Sequence, residues 1–146
     1  MGLDMYLNAS KHLYREESFE LVEKIKKMSR TAMIPRRIVF DAMYWRKANA
    51  IHKWFVDNVQ GGEDDCKEYD VDIEKLKTLC SLLDKMLSMP QEEAVKLLPT
   101  TSGFFFGSTE YDEWYWKDIE ETRDRLNELL SDPTIDDYYF TYQSSW

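Results

Sequence analysis

Residues with chemical potential concentrate in the segment SGFFFGSTEYDEWYW (102–116), which holds seven aromatic residues, two glycines and three acids. Three phenylalanines lie between Gly103 and Gly107, and a Ser-Thr pair then opens a predicted helix. Backbone N–H groups at a helix start bind anionic oxygen atoms, and nearby rings stack on planar ligands. The segment therefore predicts one wall of a ligand site, formed by Phe105, Ser108, Thr109, Tyr111 and Trp114.

The same segment also has a simpler structural interpretation, a core strand followed by an ordinary capped helix. In a strand, Phe104 and Phe106 would face one side and Phe105 the other, so one side would enter the core. The acids that follow would repel an anion, although carboxylates also hold ribose hydroxyls or an amine. The sequence leaves both interpretations open.

A second cluster lies in YWRKANAIHKWFV (44–56), which has helical periodicity from about Arg46. Arginine, asparagine and lysine lie along one flank of this helix beside a tryptophan. Such a flank suits a planar, negatively charged ligand, because Arg and Lys neutralise phosphate while a ring stacks on a base. We predict the opposite wall of the site from Trp45, Arg46, Asn49, His52 and Lys53. In the alternative interpretation, His52 is a hydrogen-bonded residue at the margin of the core.

Catalytic and metal-binding patterns are weak in this sequence. It contains no nucleophile elbow, phosphate-binding loop, dinucleotide fingerprint or zinc-protease motif. Two cysteines and two histidines at these spacings do not form a zinc signature. We therefore assign no catalytic residue, no metal ligand and no cofactor. The enzymatic alternative is His52 acting as a base that Asp112 or Glu113 orients.

Composition limits the class of partner. A chain of 146 residues suits one domain, here 1–146. The net charge of −9 disfavours nucleic acid as the main partner, because phosphate backbones are bound by clustered Lys and Arg. No apolar run reaches the ~20 residues of a membrane span, and the first residues lack the pattern of a signal peptide. We expect a cytoplasmic protein with no membrane partner and no disulfide.

The periodicities predict an α+β domain in which about four helices cover a small antiparallel sheet of about three strands. Strands are predicted around 3–14, 36–45 and 137–146, with the first and last paired. Helices are predicted around 16–30, 46–59 and 72–87, in a short piece at 91–98, and from Thr109 to about Leu130. These elements must bring the two clusters together if they form one site.

The aromatic C-terminus suggests self-association. Alternation along the last strand sends Tyr139, Thr141 and Gln143 to one face and Tyr138, Phe140 and Tyr142 to the other. We predict that this strand is a sheet edge, which invites pairing because it has no charged residue after Asp137. A homo-oligomer with residues 138–146 at the contact is therefore expected.

Four blocks carry a resemblance to known proteins: GLDMYL, YWRKANAIHKWFV, LLPTTSGFFFGSTEYDEWYW and SSW. They resemble a family of small proteins of unassigned function in phages, prophages and bacteria, over the first seven residues and most of the chain from Tyr44 onward. The family has an acid and a glycine just before the Tyr-Trp pair, where this chain has Asp41, Ala42 and Met43.

The family itself implies no chemistry, but a phage setting suggests a role by analogy. Phages carry compact, non-enzymatic proteins that capture nucleotide immune signals of the host. The analogy predicts a protein that sequesters a phosphorylated, nucleotide-like molecule without turnover. The alternatives are an interaction protein that inhibits a host factor and a hydrolase of nucleotide signals.

Overall fold

The described part of the chain forms one sheet of four antiparallel strands, with helices packed on one face. In a computed structural model, which describes residues 2–14 and 16–146, the strands are β1 (Asp4–His12), β2 (Arg37–Arg46), β3 (Tyr69–Val71) and β4 (Tyr139–Ser145). Their order across the sheet is β2-β1-β4-β3. The predicted α+β class is confirmed, as is the pairing of the first and last strands. The sheet has one strand more than predicted.

Within residues 2–14 and 16–146, five α-helices connect the strands: α1 (Phe19–Ser29), α2 (Asn49–Asn58), α3 (Ile73–Leu87), α4 (Gln91–Ala94) and α5 (Glu113–Leu130). The apolar stripe of α3 packs against α5, where Tyr115, Ile119 and Leu126 are buried. None of the helices in the described part of the chain has the length and apolar composition that a membrane crossing needs.

The strand periodicity predicted for β1 places its apolar residues in the core. Leu3, Met5 and Leu7 are fully buried, and full burial of such a side chain stabilises the fold by roughly 1.5–3 kcal/mol. Leu7 pairs with Tyr142 of β4, whose ring stacks on Phe55 of α2 at a centroid distance of 4.0 Å. The core therefore joins the sheet directly to α2, the helix that carries one of the two candidate clusters.

The prediction that the C-terminal strand forms a sheet edge is wrong, because β4 lies between β1 and β3. Tyr69 pairs with Tyr142, and Val71 pairs with Phe140. Three residues are too short for a period-2 pattern to be recognised, so β3 escaped prediction. The predicted alternation along β4 is confirmed, since Phe140 and Tyr142 are buried and Tyr139 is exposed.

A β-bulge connects β2 to α5. Leu7 pairs with Met43 and Asn8 with Asp41, which leaves Ala42 as an extra residue in β2. Its carbonyl oxygen accepts a hydrogen bond from Nε of Arg125 on α5, at 2.8 Å. This contact helps to fix α5 beside the end of β2, where the second candidate cluster begins.

Candidate ligand-binding site

Asn49 holds the loop between α4 and α5 against the start of α2. Its side-chain amide donates to the carbonyl oxygens of Phe106 (3.1 Å) and Ser108 (2.8 Å), and its Oδ1 accepts from the backbone N–H of Thr101 (3.0 Å). Asn49 is buried, so these three bonds satisfy an amide that water does not reach. The predicted site residue Asn49 therefore positions the loop through its own side chain.

The three phenylalanines of this loop do not form a strand. Phe106 is buried with its ring edge-on to His52, whereas Phe104 is 76% exposed and Phe105 is 39% exposed. The predicted pairing of Phe104 with Phe106 on one face is therefore wrong. A tight turn replaces the strand, since Phe106 N–H bonds to Gly103 O. Gly103 is required because an added Cβ would lie 2.5 Å from the Phe106 ring.

The helix start predicted at Ser108 and Thr109 is also wrong, because α5 begins at Glu113. Asp112 is the N-cap, and its Oδ1 accepts from the backbone N–H groups of Trp114 and Tyr115, both at 3.1 Å. The Ser108 hydroxyl instead accepts from the N–H of Glu110. The N–H groups expected to bind an anion are thus partly occupied by a carboxylate of the chain itself.

A cavity of about 340 Å³ opens between α2, α5 and this loop, and we name it the α2–α5 cavity. It is lined by the end of β2, the first turn of α2, the loop and the first turns of α5. Both sequence clusters therefore reach the same cavity. Its polar and aromatic lining residues are Arg46, Lys47, Asn49, Thr100, Ser108, Glu110, Asp112, Trp114, Tyr115 and Asp118.

Two cations line this cavity without a carboxylate partner. Among the described residues, no acid lies within ion-pairing distance of Arg46 or Lys47. Lys47 has a left-handed backbone (φ 59°), which is rare for a residue with a side chain. Gly107 (φ 89°) lies directly against it, and an added Cβ there would lie 3.0 Å from the Lys47 Cβ. Backbone strain of this kind is commonly found at binding sites.

A half-buried carboxyl group faces the same cavity. Burial, together with the nearby carboxylates of Glu121 and Asp112, raises the pKa of Asp118 to about 6. No side-chain hydrogen bond to Asp118 is found within residues 2–14 and 16–146. A carboxyl group with a perturbed pKa inside a cavity is a recognised mark of a functional site.

The indole of Trp45 is not available to stack on a ligand. Its side chain is 4% exposed, and Nε1 donates to the Thr122 hydroxyl on α5 at 2.8 Å. Trp45 pairs with Met5 of β1 and therefore points to the core face of the sheet. The basic residues next to Trp45 in the sequence suggest a pocket, but its place in β2 turns the ring into the core. The predicted stacking role of Trp45 is therefore wrong.

His52 lies in the core rather than in the α2–α5 cavity. Its Nδ1 is 2.7 Å from the Tyr142 hydroxyl and its Nε2 is 2.9 Å from Oδ2 of Asp64. Oδ1 of Asp64 accepts from the indole N–H of Trp146 at 3.1 Å. Both ring nitrogens of His52 are thus engaged, which matches the alternative interpretation of a hydrogen-bonded core histidine and leaves neither nitrogen for a substrate.

The remaining predicted residues do not share the α2–α5 cavity. Lys53 is paired with Asp57 at 2.8 Å and lines a separate cavity of about 510 Å³, which we name the Trp146 cavity. Phe105, Thr109 and Tyr111 line neither cavity. Of the ten predicted residues, the α2–α5 cavity brings together Arg46, Asn49, Ser108 and Trp114.

Sequence reasoning missed the two residues that give this cavity its distinctive chemistry. Lys47 was not predicted, because on a helix it lies off the flank that carries Arg46, Asn49 and Lys53. Asp118 lies on a helix rich in acids, and nothing in its spacing separates it from its neighbours. Its position one turn after Trp114 and one residue before the buried Ile119 is the signal that identifies a margin residue.

The described residues contain no group of three or more His, Cys, Asp or Glu side chains placed to hold a metal ion. Comparison of the chain with protein-family models, with curated protein sequences and with solved structures gives no match. The resemblance to small phage and bacterial proteins therefore remains a prediction.

Proposed function

We propose that the protein binds a small phosphorylated, nucleotide-like ligand in the α2–α5 cavity and releases it unchanged. The observation that carries this proposal is that Arg46 and Lys47, which form no ion pair with any described residue, line one cavity together with the exposed ring of Trp114. A volume of about 340 Å³ lies within the range of small-molecule sites and favours a ligand moiety about the size of one nucleotide.

Each lining group has a role in this proposal. Arg46 and Lys47 neutralise the phosphate, and Arg46 does so with a fork of N–H donors. The Trp114 ring, which is 64% exposed, stacks on the base. Asp118 accepts a hydrogen bond from a hydroxyl or amine of the ligand, which explains why acids and bases share one cavity. These are roles for which the cavity supplies suitable groups.

Binding without turnover fits the position of His52. The hydrolase alternative needs a free imidazole beside the ligand, but His52 is 1% exposed and lines the Trp146 cavity instead. Incubation followed by heat denaturation separates the two functions. A sequestering protein returns the ligand chemically intact, whereas a hydrolase returns product.

The binding test is a thermal-shift screen against cyclic dinucleotides, ADP-ribose derivatives and mononucleotides. A ligand present at ~100 times its dissociation constant adds roughly 2.7 kcal/mol to the free energy of unfolding and raises the melting temperature. A flat response across this panel would remove the proposal.

Matched substitutions then locate the site. Arg46→Ala and Trp114→Ala should each weaken binding roughly tenfold or more, since a charge-assisted hydrogen bond or a stacked base contributes ~1–3 kcal/mol. Lys53→Ala and Trp146→Ala are the controls, since they remove a cation and a tryptophan from the Trp146 cavity. They should leave affinity unchanged. The reverse pattern would place the ligand in the Trp146 cavity and refute the proposed site.

The biological role we propose is sequestration of a host nucleotide signal by a phage- or prophage-type protein. Its support is the resemblance to phage proteins together with the cavity chemistry. Expression of the protein in a bacterium with a nucleotide-triggered defence should lower the free concentration of the signal. The Arg46→Ala variant should fail to do so.

The second candidate function is an interaction protein that inhibits a host factor. It is favoured by the contacting rings of Phe104 and Phe105, which are 76% and 39% exposed and lie 4.2 Å apart between centroids. A pull-down from host lysate should then recover one stoichiometric protein, and Phe104→Ala should abolish its capture. Recovery of that protein without any thermal response to nucleotides would favour this function over ligand binding.

A further inference from the structure

Exposed apolar side chains concentrate in a segment that lines neither the α2–α5 cavity nor the Trp146 cavity. Of the seventeen large apolar or aromatic side chains that are exposed in the described residues, eight fall between positions 14 and 40. They include Leu21 and Met28 on α1, which are 43% and 74% exposed, and Met33 just after it. Exposed apolar side chains concentrated in one segment indicate a contact surface.

The helix α1 is amphipathic but hardly packed on the domain. Val22 is its single buried residue. Leu21 and Met28 lie seven residues apart, so they fall on the same side of the helix, one heptad apart. Isolated helices of about this length are marginal in water, and most helical stability comes from packing of an apolar face. The exposed side of α1 therefore lacks the contact that would stabilise it.

The charges of α1 are arranged so that they complement a second, antiparallel copy of the same helix. Acids lie in the first half of the helix, at Glu20 and Glu23, and bases lie from its middle onward, at Lys24, Lys26 and Lys27. Glu23 already pairs with Lys26 of the same copy at 3.0 Å. Glu20 and Lys27 are both exposed, and among the described residues neither forms an ion pair. They are separated by seven residues, as are Leu21 and Met28, so the two pairs run side by side.

We propose that two copies of the chain associate through α1, with the two helices antiparallel about a two-fold axis. In this arrangement, Leu21 of each copy packs on Met28 of the other, and Glu20 of each copy faces Lys27 of the other. In a two-fold contact every interaction occurs twice. The antiparallel direction also sets the positive N-terminal end of each helix beside the negative C-terminal end of its mate.

The contact proposed here replaces the C-terminal strand as the surface of self-association, because β4 is a central strand. It is independent of ligand binding at the α2–α5 cavity, and each proposal can fail without the other.

A first test compares two leucines of similar exposure. Leu21→Glu introduces a charge into the proposed contact, whereas Leu97→Glu does so at a site that is 38% exposed and lies outside it. Light scattering and sedimentation should give a dimer for the wild-type protein and for Leu97→Glu. Leu21→Glu should raise the dimer dissociation constant roughly tenfold or more, which corresponds to ~1.4 kcal/mol. Circular dichroism checks that both variants are folded.

A second test uses charge reversal, and its decisive result is the recovery of association rather than its loss. Glu20→Lys and Lys27→Glu should each weaken the dimer, because each makes both reciprocal contacts repulsive. An equimolar mixture of the two variants should associate again as a heterodimer, since both contacts then join opposite charges. The double variant Glu20→Lys/Lys27→Glu should also dimerise.

Three results would overturn the proposal. The first is a wild-type mass of 17.5 kDa at every concentration tested. The second is an oligomer that Leu21→Glu leaves as stable as Leu97→Glu does. The third is a mixture of the two charge-reversal variants that associates no better than either variant alone, which would exclude the antiparallel contact even if α1 were buried in an oligomer of another kind.

Discussion

The Nδ1 atom of His52 lies 2.7 Å from the hydroxyl oxygen of Tyr142, and both side chains are buried. On its other side the imidazole meets Asp64, which also holds the C-terminal Trp146. If Nε2–H donates to Asp64, Nδ1 accepts from the tyrosine hydroxyl, so every polar atom of the pair has a partner. This network joins α2, the following loop and the central strand β4.

Removal of the hydroxyl group from Tyr142 should destabilise the protein. Tyr142→Phe leaves Nδ1 of His52 buried without a partner, which costs about 1–3 kcal/mol of unfolding free energy. Tyr139→Phe is the matched control, because this tyrosine lies in the same strand but is 62% exposed. Urea unfolding should separate the two variants clearly. Equal stabilities would show that the His52 contact contributes nothing.

Loss of the Asn49 side chain should release the loop that shapes the α2–α5 cavity. Asn49→Ala removes three hydrogen bonds to loop backbone atoms and should cost about 1–3 kcal/mol. Hydrogen exchange of the amides of residues 101–108 should accelerate. Asn58→Ala removes a bond to Trp54 O within α2, so exchange in that loop should not change. A loop that stays protected in Asn49→Ala would contradict this role.

The fold was largely predictable where one short-range pattern decided it. Leu3, Met5 and Leu7 alternate cleanly, and α3 carries a regular apolar stripe that also accounts for the buried Cys80. Where several local signals compete, the sequence is ambiguous. Ser108, Thr109 and Asp112 are all good N-cap residues within five positions. The structure uses Asp112, whereas the carbonyl oxygens of Ser108 and Thr109 accept hydrogen bonds from the side chains of Asn49 and Thr100.

The candidate site was predictable only in part, because side-chain direction depends on long-range pairing. Trp45 is buried on the core face of β2 and Arg46 lies on the opposite face, because β2 pairs with β1 in one register. The pKa of Asp118 depends on burial by residues distant in the chain. Neither the register nor the burial can be read from residue spacing. The sequence therefore identifies the aromatic and basic residues of the cluster, but not which of them face the core and which line the cavity.

Neutralisation of Asp118 should stabilise the protein near neutral pH and not in acid. Its pKa rises from 3.8 to about 6 on folding, so the folded state binds the proton more tightly than the unfolded state. Well above pH 6 the half-buried carboxylate is charged in both states and lowers the free energy of unfolding. Below pH 4 it is protonated in both states, and this destabilisation disappears.

Asp118→Asn should therefore raise the unfolding free energy by about 1–2 kcal/mol at pH 7.5, the amide still losing part of its hydration. The gain should vanish as the pH falls from 6 to 4. Glu120→Gln, an exposed change on the same helix, should give no such pH-dependent gain. Under the proposed function, Asp118→Asn should also weaken binding of the nucleotide-like ligand. A stability difference independent of pH would exclude the perturbed carboxyl group as its cause.

The left-handed backbone at Lys47 allows its structural cost to be separated from its proposed role at the phosphate. Its φ of 59° costs a residue with a side chain about 1 kcal/mol, and glycine adopts this conformation freely. Lys47→Gly should therefore be more stable than Lys47→Ala by up to about 1 kcal/mol, because only glycine relieves the strain. Both variants remove the ammonium group and should lose the same ligand affinity.

Arg30→Gly provides the control, since Arg30 is also left-handed (φ 49°) but ends α1, outside both cavities. It should gain stability with no change in binding. Equal stability of Lys47→Gly and Lys47→Ala, measured by urea unfolding, would contradict strain at this position, and unchanged affinity in both would remove Lys47 from the ligand site.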